Sequence, residues 1–302
     1  MREIHSFDLK KYSQIKNETV FSLFSFSEAV FNQNLLYMLQ LEILQNKVKD
    51  EQSNKPPILF LHGMWHGAWC WESYFLPYFG KLGYKSYAMS LSNHAGSPRK
   101  KAFNLLRIKD YVKDLEDVIN SLEETPILVG HSMGGYIVQK YLENNKVPGA
   151  VLLAPVPPFG IWAGTLNVLK NFPFAFLKAN LTLNLKTIIN HPKRFRHILC
   201  SDNIKEEEIT KYLPKIDTES ILAYIDMLGL NLVKTKKINS PLLIIGGGKD
   251  NAVPLKVLHK TADKYAVSPK IFKEMGHNIM LEPDYKKVVD LIDNWIQYNY
   301  KK

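Results

Sequence analysis

A serine stands between two glycines where the chain reads Gly-His-Ser-Met-Gly, at positions 130–134. An apolar run at 127–129 precedes it, and an amphipathic helical pattern follows at 133–143. A serine at a sharp turn from strand to helix holds its hydroxyl above the sheet, and flanking glycines let neighbouring backbone pass close by. The pattern predicts Ser132 as a nucleophile, with the helix N-terminus beneath any developing negative charge. A tight glycine turn with an incidental serine is the alternative interpretation.

A serine hydroxyl is a weak nucleophile until a base takes its proton, so one of the nine histidines should serve it. His277 has the most suitable setting, because it lies in a loop between a predicted strand at 270–272 and a helix expected to start at Pro283. A loop at the carboxyl edge of the last parallel strand can reach over the sheet toward Ser132. We predict His277 as general base and acid. Other histidines are interpreted as surface or packing residues, among them His5, His94, His191, His197 and His259.

The imidazole must be held in the correct tautomer by a carboxylate from another strand end. Asp250 follows a predicted strand at 242–245 and precedes Pro254, which is expected to open a helix. No acidic residue occurs at the preceding strand end, 153–159. We predict Asp250 as the orienting residue. Asp226 is a competing candidate, and a turn or helix cap is the alternative role for Asp250.

Acyl transfer also requires hydrogen-bond donors for the oxyanion. Where a nucleophilic serine stands at such a turn, a segment after an earlier strand, here 58–61, can supply one backbone donor, and the residue after the nucleophile can supply the other. We therefore predict the backbone N–H groups of Met64 and Met133. His62 and His66 are four apart, but glycines at 63 and 67 disfavour a helix and the chain has no HExxH pattern, so we predict no metal site.

Short aliphatic runs alternate with segments of helical period from about residue 58. This rhythm predicts a mostly parallel sheet flanked by helices, the α/β class. Strands are predicted at 58–61, 85–89, 127–129, 149–153, 242–245 and 270–272. Helices are predicted at 68–81, 108–122, 133–143, 255–265 and 284–298.

The rhythm is different at the N-terminus and between residues 155 and 237. Residues 37–48 are predicted as an antiparallel strand and 21–26 as a possible further strand, with a helix over 27–44 as the competing interpretation. The segment 155–237 is rich in aromatic and aliphatic residues at helical spacing, interrupted by prolines, which indicates a small helical subdomain. We expect a core from 1–154 and 238–302, with a helical cap inserted at 155–237.

The composition bounds the class of protein. The chain has 302 residues, 46% of them apolar, as in an ordinary soluble globular protein. Its net charge of +10 is spread along the sequence without a nucleic-acid-binding motif, so solvated lysines are the favoured explanation and no nucleic-acid partner is expected. Two cysteines exclude a disulfide framework. No secretory signal or membrane span is visible, and we expect a cytoplasmic location.

The chain resembles the α/β-hydrolase superfamily in four places: His-Gly at 62–63, Gly-His-Ser-Met-Gly-Gly at 130–135, Gly-Gly-Lys-Asp at 247–250 and Gly-His-Asn at 276–278. The order Ser, Asp, His along the chain matches too. Residues 62–71 are similar to plant methylesterase and hydroxynitrile lyase relatives, whereas the longer insert is more similar to the cap of bacterial esterases and lysophospholipase-like lipases. The resemblance spans residues 58 to the C-terminus and covers 1–54 and 155–237 poorly.

The resemblance implies the α/β-hydrolase fold and a Ser-His-Asp serine hydrolase that cleaves a carboxylic ester through an acyl-enzyme. It implies no cofactor, and a small-molecule or lipid-like substrate whose hydrophobic acyl group is bound under the cap. Four residues are expected to contact substrate: Trp65, His131, Phe159 and Trp162. The net charge and the aromatic cap also suggest a weak association with membrane surfaces. A monomer or a homodimer fits the sequence.

Two other classes of function stay open at this point. Relatives of the same fold use the same three residues for lyase, acyltransfer, carbon–carbon cleavage or cofactor-free peroxide chemistry. A ligand receptor that keeps the fold and pocket without turnover is the second alternative. The motifs alone do not separate these functions from ester hydrolysis.

Overall fold

The computed structural model describes residues 41–48, 54–99 and 102–300. Within them a seven-stranded sheet has the order β1-β3-β2-β4-β5-β6-β7, with β1 antiparallel to β3 and every other pairing parallel. The strands are β1 (Ile43–Gln45), β2 (Ile58–Leu61), β3 (Ser86–Met89), β4 (Ile127–His131), β5 (Ala150–Leu153), β6 (Leu242–Gly247) and β7 (Lys270–Phe272). β2, β4 and β5 are buried along their whole length. Continuous aliphatic strands are expected where helices cover both faces of a parallel sheet.

Eleven α-helices occur in the described part of the chain. They are α1 (Trp69–Glu72), α2 (Phe75–Lys81), α3 (Ile108–Ser121), α4 (Met133–Tyr141), α5 (Trp162–Asn171), α6 (Pro173–Leu181), α7 (Pro192–Leu199), α8 (Glu206–Tyr212), α9 (Ile221–Ile225), α10 (Leu255–Asp263) and α11 (Tyr285–Asn299). None of the described helices is long and apolar enough to cross a bilayer.

The register of the sheet brings several strand ends to one edge. Leu61 at the end of β2 pairs with Gly130 of β4, and His131 at the end of β4 pairs with Leu153 at the end of β5. At the far side, Gly247 at the end of β6 pairs with Phe272 at the end of β7. The loops that leave these strands therefore start side by side, which is where parallel sheets place their ligand sites.

The predicted helix at 68–81 is wrong, because α1 and α2 are separate. The break lies at Tyr74, whose backbone leaves the helical region at φ −131° and ψ −59°. Pro77 is the physical reason: inside a continuous helix its ring would clash with the carbonyl group of residue 73. In the observed arrangement it occupies the first turn of α2, where a backbone N–H has no intrahelical acceptor in any case.

The other core elements lie within two residues of their predicted bounds. The last helix starts at Tyr285 and not at Pro283. The predicted antiparallel strand at 37–48 is confirmed over Ile43–Gln45, which contradicts the competing helix over the described residues 41–44. Residues 37–40 and the strand predicted at 21–26 lie outside the described residues.

Between β5 and β6 the described chain forms helices and no strand: α5 to α9, short 3-10 turns and a π-helical segment at Asp226–Leu230. Two charged pairs join this helical insert to the core. Arg107 at the start of α3 pairs with Asp226, which also accepts the backbone N–H of Ile108 at 3.0 Å. His94, in the loop after β3, lies 3.1 Å from Glu219, and both side chains are fully buried.

Candidate active site

Ser132 occupies a strained backbone position between β4 and α4. Its φ of +52° and ψ of −116° lie where an L-residue pays steric energy, as in the sharp turn predicted from the sequence. The turn requires glycine beside it: a Cβ on Gly134 would lie 2.5 Å from the carbonyl oxygen of His62, and one on Gly130 would lie 2.6 Å from that of Gly134. The backbone of β2, β4 and α4 therefore meets directly beneath the serine.

His277 and Asp250 are brought together by the loops after β7 and β6. The Nδ1 atom of His277 donates to Oδ2 of Asp250 at 2.8 Å, and both side chains are buried. The second carboxylate oxygen of Asp250 accepts the N–H groups of Ala252 and Val253 at 2.8 and 2.7 Å. With both oxygens engaged, the carboxylate is fixed in place and leaves Nε2 of His277 without the proton in the neutral ring.

Asp226, the competing acid, is held elsewhere by Arg107 and the start of α3. Its carboxylate neutralises a guanidinium and accepts an N–H group at a helix N-terminus, which satisfies a buried charge. Among the described acidic residues, it is Asp250 whose carboxylate lies against the ring of His277.

The loop after β2 carries the predicted oxyanion donor Met64 and is braced by His66. The Nδ1 atom of His66 donates to the Met64 carbonyl oxygen at 2.7 Å, and its Nε2 atom accepts from the Asn278 amide at 3.1 Å. Burial lowers the pKa of His66 to about 4, so the ring is neutral at pH 7, as this pair of contacts requires. His66 thus connects the Met64 loop to the His277 loop. Met133 is the first residue of α4, where backbone N–H groups lack intrahelical acceptors.

His131, predicted to bind substrate, is buried behind the serine. Its Nε2 atom donates to the backbone carbonyl oxygen of His277 at 3.0 Å. Burial and the neighbouring His277 lower the pKa of His131 well below its ordinary value, so the ring is neutral. The structure therefore gives His131 a contact with the predicted base and does not place it among the residues that line the cavity described next.

A cavity opens above Ser132 and His277 and is roofed by the helical insert. Met64 and Trp65 also line it, so the structure brings Trp65, one of the four predicted substrate contacts, to the cavity. Its remaining wall is mostly apolar and comes from α5, α6, α7 and neighbouring segments: Val156, Ile161, Gly164, Thr165, Val168, Phe176, Leu185, Ile188, Ile198, Leu199, Tyr224, Ala252 and Val253. The two hydroxyl groups in this wall, of Thr165 and Tyr224, hydrogen-bond to each other at 2.7 Å. The wall therefore suits a hydrophobic group.

Phe159 and Trp162, predicted as substrate contacts, are not among the lining residues of this cavity. Trp162 is 53% exposed on the outer face of α5. Helical spacing explains the difference, because the positions facing the cavity are 161, 164, 165 and 168, and residue 162 points about 100° away from residue 161. The sequence showed an aromatic insert without showing which face of each helix would be turned inward.

Glu282 supports the His277 loop and was not anticipated from the sequence. One carboxylate oxygen accepts the N–H groups of Gly276 and Ser201 at 2.9 and 2.8 Å, and the other accepts the Ser201 hydroxyl at 2.6 Å. The side chain is 1% exposed. A buried glutamate five residues beyond the histidine is an ordinary helix-flanking residue in the sequence, so no motif distinguishes it.

No group of three or more metal-ligating side chains converges in the described residues. The glycines around His62 and His66 keep that segment out of a helix, as predicted. His62 instead ties the loop after β2 to the loop after β3. Its Nδ1 atom donates to the Gly63 carbonyl oxygen at 2.8 Å, and its Nε2 atom accepts the Leu91 N–H at 3.0 Å.

Parts of the sequence are similar to known plant proteins. The chain is 35% identical over 88 residues to methylesterase 4 of Arabidopsis thaliana, a match that covers 28% of this chain and 33% of that protein. It is 34% identical over 110 residues to methyl jasmonate esterase 1 of Vitis vinifera, covering 34% of this chain and 41% of that protein. These matches thus span well under half the length of either plant protein.

Solved structures are similar over a larger part of the chain. An esterase from Exiguobacterium antarcticum matches with a TM-score of 0.65 and 20% identity, covering 85% of this chain and 95% of that one. A monoacylglycerol lipase from Paleococcus ferrophilus matches with a TM-score of 0.62 and 20% identity, covering 86% and 100%. At 20% identity, this structural similarity is evidence for a shared fold.

The model of the alpha/beta hydrolase family matches residues 58–291, and the chain therefore belongs to that family.

Proposed function

We propose that this chain is a serine hydrolase that cleaves carboxylic esters with a hydrophobic acyl group. One observation carries the proposal: Ser132, on its strained turn, lines the same cavity as His277. The ring of His277 is hydrogen-bonded to Asp250 at 2.8 Å. Nucleophile, base and orienting carboxylate come from three separate loops of the sheet edge. Structural packing alone does not require that arrangement.

In the first half of the reaction, the hydroxyl oxygen of Ser132 attacks the ester carbonyl carbon while Nε2 of His277 accepts the hydroxyl proton. The Asp250 carboxylate stabilises the imidazolium formed on His277. The backbone N–H groups of Met64 and Met133 donate to the oxyanion of the tetrahedral intermediate. The carbon–oxygen bond to the leaving group then breaks, and His277 returns the proton to the departing alcohol.

In the second half, water replaces the alcohol. His277 takes a proton from water, the resulting hydroxide attacks the acyl carbonyl, and the bond to Ser132 breaks as the serine oxygen regains its proton. The carboxylic acid leaves and the enzyme is restored. No cofactor is needed for either half.

The substrate follows from the cavity wall. Apolar side chains of Val168, Phe176 and Ile198 line it, and its two hydroxyl groups satisfy each other. An alkyl or aromatic acyl group gains from leaving water here, at roughly 25 cal/mol per Å² of apolar surface, whereas a charged group would lose its hydration without a partner. The two plant relatives are named as a methylesterase and a methyl jasmonate esterase, which supports an ester as the bond cleaved.

A panel of p-nitrophenyl esters from acetate to decanoate tests the proposal, with Ser132→Ala as the matched variant. We expect hydrolysis that falls by a factor on the order of a thousand or more in Ser132→Ala, since the residual rate over water comes from the oxyanion donors and binding alone. Equal rates from both proteins would remove Ser132 from the mechanism.

Covalent labelling gives an independent reading that does not need the natural substrate. A fluorophosphonate probe should add one adduct, located by peptide mass spectrometry on Ser132. Asp250→Asn should label more slowly, because the histidine would lose its tautomeric control. A chain that hydrolyses no ester and takes up no label would instead be a receptor on this fold.

A further inference from the structure

Helices α5 and α6 expose apolar side chains on their outer faces. These side chains recur at helical spacing, i, i+4, i+7 on α5 and i, i+3, i+7 on α6, so each set forms a stripe. Each is between 42% and 86% exposed, and together we call them the α5–α6 patch: Trp162, Leu166, Leu169, Phe174, Leu177 and Leu181. Monomeric soluble proteins rarely expose a contiguous apolar surface of this kind without a partner for it.

The inner faces of the same two helices line the cavity above Ser132. Ile161 and Val168 of the α5 segment and Phe176 of α6 contribute to its wall. Both helices are therefore apolar on two sides, a property of helices that are covered on both sides. The α5–α6 patch is the outer surface of the roof over the candidate active site.

The chain segment that carries the patch has charged residues of one sign only. Residues 159–201 contain no aspartate or glutamate, although the whole chain has 29. The same segment carries six basic residues: Lys170, Lys178, Lys186, Lys193, Arg194 and Arg196. Lys170 lies one helical turn after Leu166, and Lys178 lies one turn after Phe174, so both exposed lysines share the faces of the patch.

We propose that the α5–α6 patch docks on a lipid–water interface that bears anionic headgroups. A surface helix with aromatic and leucine side chains on one face and lysines beside them inserts its apolar side chains at the boundary between headgroups and acyl chains. The lysines then meet negative headgroups, whose surface potential attracts them. A second protein with an acidic, apolar surface would satisfy the same charges, but the six residues of the α5–α6 patch are one tryptophan, one phenylalanine and four leucines, with no charged or amide side chain to specify a protein partner.

The purpose of this docking rests on the proposed function. Docking would bring the roof of the ester-cleaving cavity to the lipid surface, where hydrophobic esters accumulate. The binding step itself does not involve Ser132, His277 or Asp250. The test can therefore be made on Ser132→Ala as well as on the wild-type chain, and a failure of docking is distinguishable from a failure of catalysis.

The experiment is flotation of the purified chain with vesicles of phosphatidylcholine alone or of phosphatidylcholine and phosphatidylglycerol at 3:1. We expect binding to the anionic vesicles that weakens as added salt shortens the Debye length. Phe174→Asp/Leu181→Asp should reduce partitioning at least about tenfold, because two inserted apolar groups become charged. Lys170→Gln/Lys178→Gln should reduce it about tenfold on anionic vesicles only.

The control is Tyr298→Asp, which places a single aspartate at an 80% exposed aromatic position on α11, outside the patch. It should bind vesicles as the wild type does. Hydrolysis of p-nitrophenyl acetate by Phe174→Asp/Leu181→Asp should stay near the wild-type rate and show that the variant is folded, since neither side chain lines the cavity.

Three results would overturn the proposal. The first is equal vesicle binding by the wild type and Phe174→Asp/Leu181→Asp. The second is absence of binding to anionic vesicles. The third is a dimer in light scattering without lipid that becomes a monomer in Phe174→Asp/Leu181→Asp, because the patch would then be covered by a second copy of this chain.

Discussion

The Nε2 atom of His131 donates a hydrogen bond to the backbone carbonyl oxygen of His277 at 3.0 Å. The residue directly before the candidate nucleophile thus holds the backbone of the candidate base. Since His131 is also the last residue of β4, this hydrogen bond ties the His277 loop to the strand end that carries Ser132. We expect that relationship to appear in kinetics.

His131→Phe removes the donor and keeps a ring of similar size. We expect kcat to fall by about a hundredfold, as for a small displacement of a catalytic group, with little change in KM. Burial lowers the pKa of His131 and keeps it neutral, so the pH dependence of kcat/KM should keep its shape. Steady-state kinetics on p-nitrophenyl butyrate measure both. His259→Phe, at an exposed position on α10, is the control, and a pH profile displaced in His131→Phe would contradict a purely positional role.

Asp250→Asn should lower kcat by about ten-thousandfold, because an amide favours the wrong tautomer of His277. The remaining side-chain oxygen can still accept the N–H groups of Ala252 and Val253, so the fold should survive, as circular dichroism would show. Asp226→Asn is the matched comparison. It breaks the pair with Arg107 and should lower the melting temperature while kcat stays close to wild type. The reverse pattern would make Asp226 the orienting acid.

Gly134→Ala should disturb both stability and activity. The added Cβ would lie 2.5 and 2.6 Å from the carbonyl oxygens of His62 and Leu61, so backbone must move. Overpacking of this kind costs about 1–3 kcal/mol, which outweighs the roughly 1 kcal/mol that alanine gains over glycine within a helix. Thermal unfolding and the rate on p-nitrophenyl butyrate report the two effects. Gly229→Ala, whose Cβ would meet nothing within 4 Å, should be neutral in both measurements.

The buried pair of His94 and Glu219 should make stability depend on pH. Burial alone would lower the pKa of His94, but the Glu219 carboxylate raises it above 6.5. Both ring nitrogens face oxygen acceptors, Ser92 O and Glu219 Oε2, which fits the charged ring. A raised folded-state pKa contributes stability that is complete below the unfolded value of about 6.5 and disappears as pH rises through the folded value.

Chemical unfolding at a series of pH values measures that contribution. The wild type should lose more free energy of unfolding than His94→Gln between about pH 6 and pH 9, because the glutamine has no proton to release. His94→Gln should also be less stable at pH 6 by a few kcal/mol, since it leaves a buried carboxylate without its charge partner. Parallel curves for the two proteins would show that His94 stays neutral when folded.

The sequence predicts the features that depend on local backbone geometry. The positions of the parallel strands along the chain, the turn at Ser132 and the loop positions of Asp250 and His277 follow from apolar runs ending in glycine-rich segments. Such signals are local, because strand length, strain and turn chemistry depend on adjacent residues.

Features that depend on packing between distant segments were not readable. The sequence around His94 favours only a surface or packing role, because its partner Glu219 is 125 positions away. Which face of α5 turns toward the cavity depends on the residues packed beneath the helix. The sequence alone therefore does not distinguish Ile161, which lines the cavity, from Trp162, which is exposed. The predicted bounds of a helix are wrong where a single residue interrupts it, as Pro77 does for the helix predicted at 68–81.

The positive φ of Ser132 has a consequence for design. A side chain held in that region costs on the order of 1–3 kcal/mol, which the surrounding contacts must offset for the turn to persist. Glycine would relax there, so an inert Ser132→Gly protein should melt at a higher temperature than its working parent. The strain at Ser132 is thus tied to the proposed reaction, and a thermostabilised Ser132→Gly scaffold would lack the proposed nucleophile.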